Sequence, residues 1–287
     1  MNVKPLFSHK NKEPENSVLY LVGTPIGNLE DISLRAINIL QNVDLIACED
    51  TRHTKKLLNK YQIKNNLISF NKFNSSKRIP KIIENLKEAR SVALVSDAGM
   101  PCICDPGEEL VNSVKSNGFN IICVPGPCAA LVALVTSGLP TSKFIFEGFL
   151  PRKKIDREKI LFDISQNSKT TIIYESPHHL ISLLKDLKEY CGGSREITIS
   201  RELTKKFEEH SRTNLDDAIN NFENITVLGE YTLILSGKIK DDPKVFDELI
   251  IKKELHELVK AGLSLSAASK YLAKKKKLAK NLIYKLY

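Results

Sequence analysis

Ser91-Val-Ala-Leu-Val95, followed by Ser96-Asp-Ala-Gly-Met-Pro-Cys-Ile-Cys-Asp-Pro-Gly107, is a short β-branched run that opens into a long loop of Gly, Pro and two carboxylates. The run reads as a buried strand, and a helical pattern begins at Glu108. In open α/β sheets, ligands bind outside the carboxyl ends of the strands, so the loop is a candidate site. It holds no Lys or Arg and is poorly suited to a phosphate. Asp97 and Asp105 favour a cation or ribose hydroxyls.

The same alternation extends outward from this stretch. Val18–Val22, Val43–Cys48, Leu67–Phe70, Val92–Ser96 and Asn120–Val124 read as strands. Ile32–Leu40, Thr51–Tyr61, Arg78–Ala89 and Glu108–Ser116 carry apolar residues at helical spacing between them. Asp31 or Ser33 is the cap expected for the first helix, and Pro80 fits only in the first turn of the third. Five strands with intervening helices make a mostly parallel sheet covered on both faces. After the turn Pro125-Gly-Pro-Cys-Ala129, an apolar run, Ala130–Thr136, closes at Gly138 and Pro140, where a domain boundary is expected.

A second series follows, with strands at Phe144–Glu147, Thr171–Glu175, Glu196–Ser200 and Tyr231–Leu235. Arg157–Ser165, His179–Tyr190 and Leu215–Phe222 read as helices, and polar Thr204–Arg212 as an antiparallel return. Asp247–Ala261, Leu265–Ala273 and Ala279–Leu286 are three short helical patterns broken at Gly262 and at the Lys274–Lys277 run. The expected division is an N-terminal extension (1–16), two α/β domains (17–139 and 140–240) and a basic helical module (241–287). That module is either helix-turn-helix-like or a packed extension.

Length and charge agree with this division. A chain of 287 residues exceeds what one core usually supports. The 42% hydrophobic content is that of a globular protein, and no apolar run reaches the length of a membrane span. Polar Met1–Asn16 has no secretory core, so a cytoplasmic protein with reduced thiols at its six cysteines is expected. Cys102 and Cys104 are too closely spaced for a usual zinc pair, and no metal is expected. Most of the net charge of +9 belongs to Lys270–Tyr287, which has seven Lys and no acid. Such a segment is either solvated surface or a surface for nucleic-acid phosphates.

Gly23-Thr-Pro-Ile-Gly-Asn-Leu29 follows the first strand but is not a dinucleotide fingerprint, because Pro25 removes an N–H from the turn. Glu49 and Asp50 stand where a dinucleotide fold keeps its ribose-binding acid, so an oxidoreductase is available on that acid but not on the glycines. Glu49-Asp-Thr-Arg-His-Thr54 places acids at a helix start, where the dipole favours them and Thr51 is a candidate cap. Arg52 and His53 make the junction a candidate site. Tyr174-Glu-Ser-Pro177 and Arg201-Glu-Leu-Thr-Lys205 are two more, each beside a strand end. His178 and His179 lack metal spacing and read as a helix start. Phe70-Asn-Lys-Phe-Asn74 suits either RNA stacking or packing.

These blocks occur in one order: Val22–Leu29, Glu49–Thr54, Ser96–Gly99, Asp105–Gly107, Pro125–Pro127, Glu147-Gly-Phe-Leu-Pro151, Tyr174–Ser176 and Arg201–Lys205. Together they closely resemble the 16S rRNA (cytidine-2′-O)-methyltransferases of the tetrapyrrole methylase superfamily, from about Val18 to Lys238. The helical end looks like that family's C-terminal extension. The resemblance implies two α/β domains with S-adenosyl-L-methionine in the cleft between them, and a homodimer. It implies methyl transfer to the ribose 2′-oxygen of a cytidine in the decoding region of 16S rRNA, with the 30S subunit as partner. It places Thr24, Pro25, Ile26 and Gly27, then Asp97, Ala98, Gly99 and Pro101, at the cofactor. Gly126, Ala129, Glu147, Gly148, Phe149, Tyr174 and Glu175 complete that set.

Met100 stands where the family usually has Thr, Cys104 where Asn is common, Cys128 where Ser is usual and Asn71 where His is frequent. A ribose hydroxyl attacks well only if its proton is removed or its charge stabilised. Glu49, Asp50 and His53 are the candidate bases, and Arg52 and Lys205 the candidates for orienting the acceptor. Two rivals remain open: a precorrin C-methylase, and a non-catalytic RNA-binding assembly factor.

Overall fold

The computed structural model describes residues 13–223, 225–238, 248–276, 278 and 280–287. The expected extension at 1–16 lies mostly outside them, as does Asp247 of the first C-terminal helical pattern. The first sheet holds β1 (Val18–Val22), β2 (Leu45–Cys48), β3 (Leu67–Ser69), β4 (Val92–Val95) and β5 (Asn120–Val124). Its order is β3-β2-β4-β1-β5 and every pairing is parallel. The connecting helices are α1 (Leu34–Asn42), α2 (Thr51–Lys60), α3 (Ser75–Lys87) and α4 (Glu108–Ser116), with α5 (Ala129–Thr136) after β5.

Alternation along β1 explains the layering. Val18, Tyr20 and Val22 pack on one face with Ile39 and Leu40 of α1 and Leu57 and Leu58 of α2. Leu19 packs on the other with Ile82 and Leu86 of α3 and Leu110 and Val114 of α4. Successive side chains of a strand point to opposite faces, so an all-apolar strand needs helices on both sides.

The second sheet holds β6 (Phe144–Phe149), β7 (Thr170–Glu175), β8 (Glu196–Arg201), β9 (Glu209–Asn214) and β10 (Tyr231–Leu235), in the order β6-β7-β10-β8-β9. Only β6 and β7 are parallel. Helices α6 (Lys154–Gln166), α7 (Leu180–Cys191) and α8 (Leu215–Glu223) cover one face through Leu161, Leu183, Leu187, Leu215 and Ile219. The other face is covered by α5, whose Ala130, Ala133 and Leu134 pack with Ile172 and Ile234. A helix that leaves the first sheet thus seals the second, and both sheets fall in one compact unit ending at Gly237.

The unit from Lys238 has its own core. Helices α9 (Glu248–Lys260), α10 (Leu265–Lys276) and α11 (Lys280–Tyr284) bury Ile251, Leu255, Ala268, Leu272 and Ile283. The expected break at the Lys274–Lys277 run comes at its end, since α10 continues through Lys276. Lysine is a good helix former, and Lys275 and Lys276 pair with Glu254 of α9 at 3.2 and 2.6 Å.

Three other details depart from expectation. Pro80 is the sixth residue of α3, because the Asn71–Asn74 turn starts that helix at Ser75. The missing Pro80 N–H leaves a carbonyl on the exposed side of the helix to solvent. Asp50, not Thr51, caps α2, its carboxylate accepting from Arg52 N at 2.8 Å. The polar return is confined to β9, since residues 204–208 form turns. Of the two caps proposed for α1, Ser33 serves, accepting from Ala36 N at 3.1 Å.

Candidate functional site

The carboxyl ends of β1, β2, β4 and β5 lie on one edge of the first sheet, and four loops meet there. Thr24 and Gly99 exchange backbone hydrogen bonds of 2.9 and 3.1 Å, which ties the first loop to the Ser96–Gly107 loop. The Thr24 hydroxyl donates to the Ser96 carbonyl at 3.2 Å. Gly23 and Gly126 touch backbone to backbone: a Cβ on Gly126 would stand 2.8 Å from the Gly23 Cα. Only glycine allows this approach between the loops after β1 and β5.

The second sheet supplies the opposite wall. The Thr204 hydroxyl accepts from Asn28 N at 2.9 Å, and a Cβ on Gly27 would meet Lys205 and Thr204. Between these loops lies a cavity of about 420 Å³, within the range of small-molecule sites, about 300–1,000 Å³. Ile26, Met100, Ile103, Phe149 and Leu203 give it apolar wall, and the Tyr174 ring sits tilted against Phe149 at 5.6 Å. Asp97, Asp105, Glu175 and Glu230 are its charged lining, and among the described residues no Lys or Arg lines it.

Burial, joined by the charges of Asp105 and Asp97, raises the Glu49 carboxyl above its ordinary value. Burial likewise raises Asp105, with Asp97 adding to it and a Ser96 hydrogen bond opposing it. Asp50 goes the other way: the Arg52 guanidinium beside it lowers it to about 2. Asp97 Oδ1 accepts from the Asp50 amide at 3.1 Å and so sits between the junction and the cavity.

The raised acids have a stability consequence with a definite sign. Between the ordinary carboxylate value and the raised one, the folded chain holds the Asp105 proton that the unfolded chain has released. Stability therefore falls as pH rises through that window. Asp105→Asn removes the cost of the buried charge, so melting temperatures measured from pH 4 to 8 are expected to decline less in the variant. Parallel curves would show that Asp105 ionises freely.

Tetrapyrrole (corrin/porphyrin) methylases match residues 18–219. The chain belongs to this family. A Thermotoga maritima relative called ribosomal RNA small subunit methyltransferase I is 51% identical over 77% of this chain and 98% of its own length. Relatives with that name from Synechocystis sp. and Bacillus subtilis are 44% and 39% identical, covering 94% and 96% of this chain and 96% of each relative. A solved cobalt precorrin-4 methyltransferase shares the fold with a TM-score of 0.59 at 16% identity, over 82% of this chain and 98% of its own. Uroporphyrin-III-C-methyltransferase from Thermus thermophilus does so with a TM-score of 0.57 at 18%, over 77% and 94%. The two sheets with their covering helices are therefore a tetrapyrrole methylase fold.

In this family member, Ile26, Asp97, Ala98, Gly99, Ala129, Phe149, Tyr174 and Glu175 meet at the cavity wall. Thr24, Pro25 and His53 line a narrow neighbouring cleft with Ser96 and Asp97. Gly27 and Gly126 serve loop packing, Gly148 at φ +63° backs onto the Cys104 sulfur, and Pro101 is buried. Glu147 is half-buried with its carboxyl raised by burial. Arg52 is exposed and paired with Asp50 at 2.6 Å. Lys205 is held by Glu202 and Glu230 at 2.9 and 3.0 Å, so its ammonium is engaged in the protein's own ion pairs.

The family's unusual residues here are also placed. Met100 lines the cavity and packs over Gly23, while Cys104 and Cys128 lie in the wall. Leu203 comes to the wall from the Arg201–Lys205 block, and Glu230, Tyr231 and Thr232, which carried no motif, complete it. Sheet register brings the last three there, with Tyr231 of β10 opposite both Glu175 and Arg201.

Proposed function

We propose that the chain is an S-adenosyl-L-methionine-dependent methyltransferase acting on the ribose 2′-oxygen of a cytidine in the decoding region of 16S rRNA. The cavity carries this reading: it is lined by acids and apolar groups, free of Lys and Arg, and walled by both sheets. That donor set suits a sulfonium, an ammonium and ribose hydroxyls, and lacks what a phosphate needs. S-Adenosylmethionine, when bound, supplies a methyl group on a cationic sulfur. Asp97 and Asp105 are the residues that would hold its polar groups, while Ile26, Met100 and Phe149 shield them from water. Glu175 is buried and bound by Arg152 and Ser176, so it stiffens the wall.

Asp97→Ala is expected to weaken donor binding by about 10- to 150-fold, the loss of a charged hydrogen bond. Calorimetry with S-adenosylmethionine reads this directly, and unchanged affinity would remove Asp97 from the donor site. The substrate is tested by methyl transfer to unmodified 30S particles with the modified nucleotide mapped. Methylation of a base, or of another ribose, would overturn the substrate assignment. Failure to bind the donor would leave the non-catalytic assembly factor.

The chain is further proposed to act in the cytoplasm and as a homodimer. Leu131 and Val135, one turn apart on α5 and exposed by 50% and 70%, supply apolar surface for a second copy. The helical unit is proposed to engage rRNA phosphates. Deleting Lys270–Tyr287 would take Leu272 and Ile283 from its core, so substitution is the cleaner test. Neutralising exposed Lys270, Lys274 and Lys285 is expected to flatten the salt dependence of RNA binding by about 0.7 for each phosphate no longer neutralised, with donor binding intact. An unchanged slope would show that these lysines are solvated surface.

A further inference from the structure

Two Lys–Phe pairs follow strands of the two sheets, one after β3 and one after β8. Lys72-Phe73 lies in the turn after β3, where Phe70 N donates to the Cys48 carbonyl at 2.7 Å and Ser69 Oγ donates to the Glu49 carbonyl at 3.4 Å. Lys206-Phe207 directly follows Lys205, whose ammonium pairs with cavity-lining Glu230. Phe73 is 99% exposed and Phe207 67%, whereas Phe70 of the same segment is buried. An isolated exposed aromatic needs no explanation. These two differ in standing on hydrogen-bonded turns and in each following a lysine in the sequence, the Lys206 ammonium lying over the Phe207 ring.

The Phe73 turn is locked by Asn71 N donating to Asn74 Oδ1 at 2.8 Å, Phe73 N to Asn71 Oδ1 at 3.1 Å, and Asn74 Nδ2 to Ser69 Oγ at 3.2 Å. The Phe207 turn is closed by Glu208 N donating to the Lys205 carbonyl at 3.1 Å. Its Glu208 carboxylate also takes the Thr204 amide and the His210 ring, the latter at 2.9 Å. Lys206 Nζ lies 5.5 Å from the Phe207 centroid. Lys72 also acts on the carboxylates of Glu49 and Asp105. A solvated ring on a closed turn, with a lysine next to it in the chain, is the chemistry that receives an unpaired base and its phosphate.

We propose that Phe73 and Phe207 are two stacking platforms that seat unpaired nucleobases of the RNA substrate on either side of the cavity, Lys72 and Lys206 meeting the adjacent phosphates. The proposal rests on the RNA reading above. It names where the strand is gripped outside the donor cavity.

The chain has no tryptophan, so Phe73→Trp and Phe207→Trp each introduce a sole indole reporter. Each is titrated with a single-stranded RNA of the decoding-region sequence and with a ribose-phosphate oligomer of equal length that lacks bases. The RNA is expected to quench the indole, and the base-free oligomer to bind without quenching. Phe73→Leu and Phe207→Leu each raise the RNA dissociation constant about tenfold at unchanged salt slope and donor affinity. RNA binding without quenching, or leucine variants within twofold of the parent, would overturn the platforms. Emission that shifts with protein concentration alone would overturn them too, marking an interface between copies. If the parent chain binds neither polymer, the RNA reading itself fails.

Discussion

Glu49→Gln is expected to lower methyl-transfer turnover by about 10²- to 10⁴-fold, the range for removal of a positioned general base, while donor affinity stays near that of the parent. Of the three candidate bases, Asp50 is held near pKa 2 by Arg52 and is a weak proton acceptor. Glu49 is raised by burial and by Asp105 and Asp97, toward the pH at which a base both exists unprotonated and binds a proton well. Its rate contribution appears as pH rises through the raised Glu49 value, because only the carboxylate form accepts the proton. The glutamine variant should lose that rising limb. A variant that keeps both the limb and the turnover would assign the base elsewhere, with His53 beside Asp97 next in order.

Gly126→Val is expected to cost about 3 kcal/mol or more of stability and to abolish donor binding. The new Cβ would stand 2.8 Å from Gly23 Cα, 2.9 Å from its carbonyl carbon and 3.0 Å from its carbonyl oxygen. All three are backbone atoms, so no rotamer relieves the clash and the loops after β1 and β5 must separate. Gly23 also lies under Met100, a lining residue, so the displacement reaches the cavity. Thermal unfolding and calorimetry together read the two effects. A variant with parental melting and donor affinity would show that the loops yield freely.

The apolar strands were legible because they are buried on both faces: Val18–Val22, Leu45–Cys48, Val92–Val95 and Tyr231–Leu235 carry almost no polar residues. Polar β9 was readable only as an extended stretch. Its partner β8 supplies the pairing that defines it, and pairing leaves no mark on the partner-free sequence. The loop residues that meet at the cavity were legible because their Gly, Pro and acid content is unlike that of ordinary connections. Glu230–Thr232 were not, because only the antiparallel register of β10 carries them to the wall. The Lys205 pairing with Glu230 was not legible, since Glu230 lies 25 residues away along the chain.

The helical unit has its own apolar interior, and that independence bears on how such a chain is inherited. The Thermotoga maritima relative is covered over 98% of its length by 77% of this chain, and the family match ends at residue 219. A segment with a self-contained interior is gained or shed without opening the protein it is joined to. Selection can therefore tune the two tasks proposed above, phosphate engagement and methyl transfer, on separate stretches of gene, and a lineage can exchange one stretch while keeping the other.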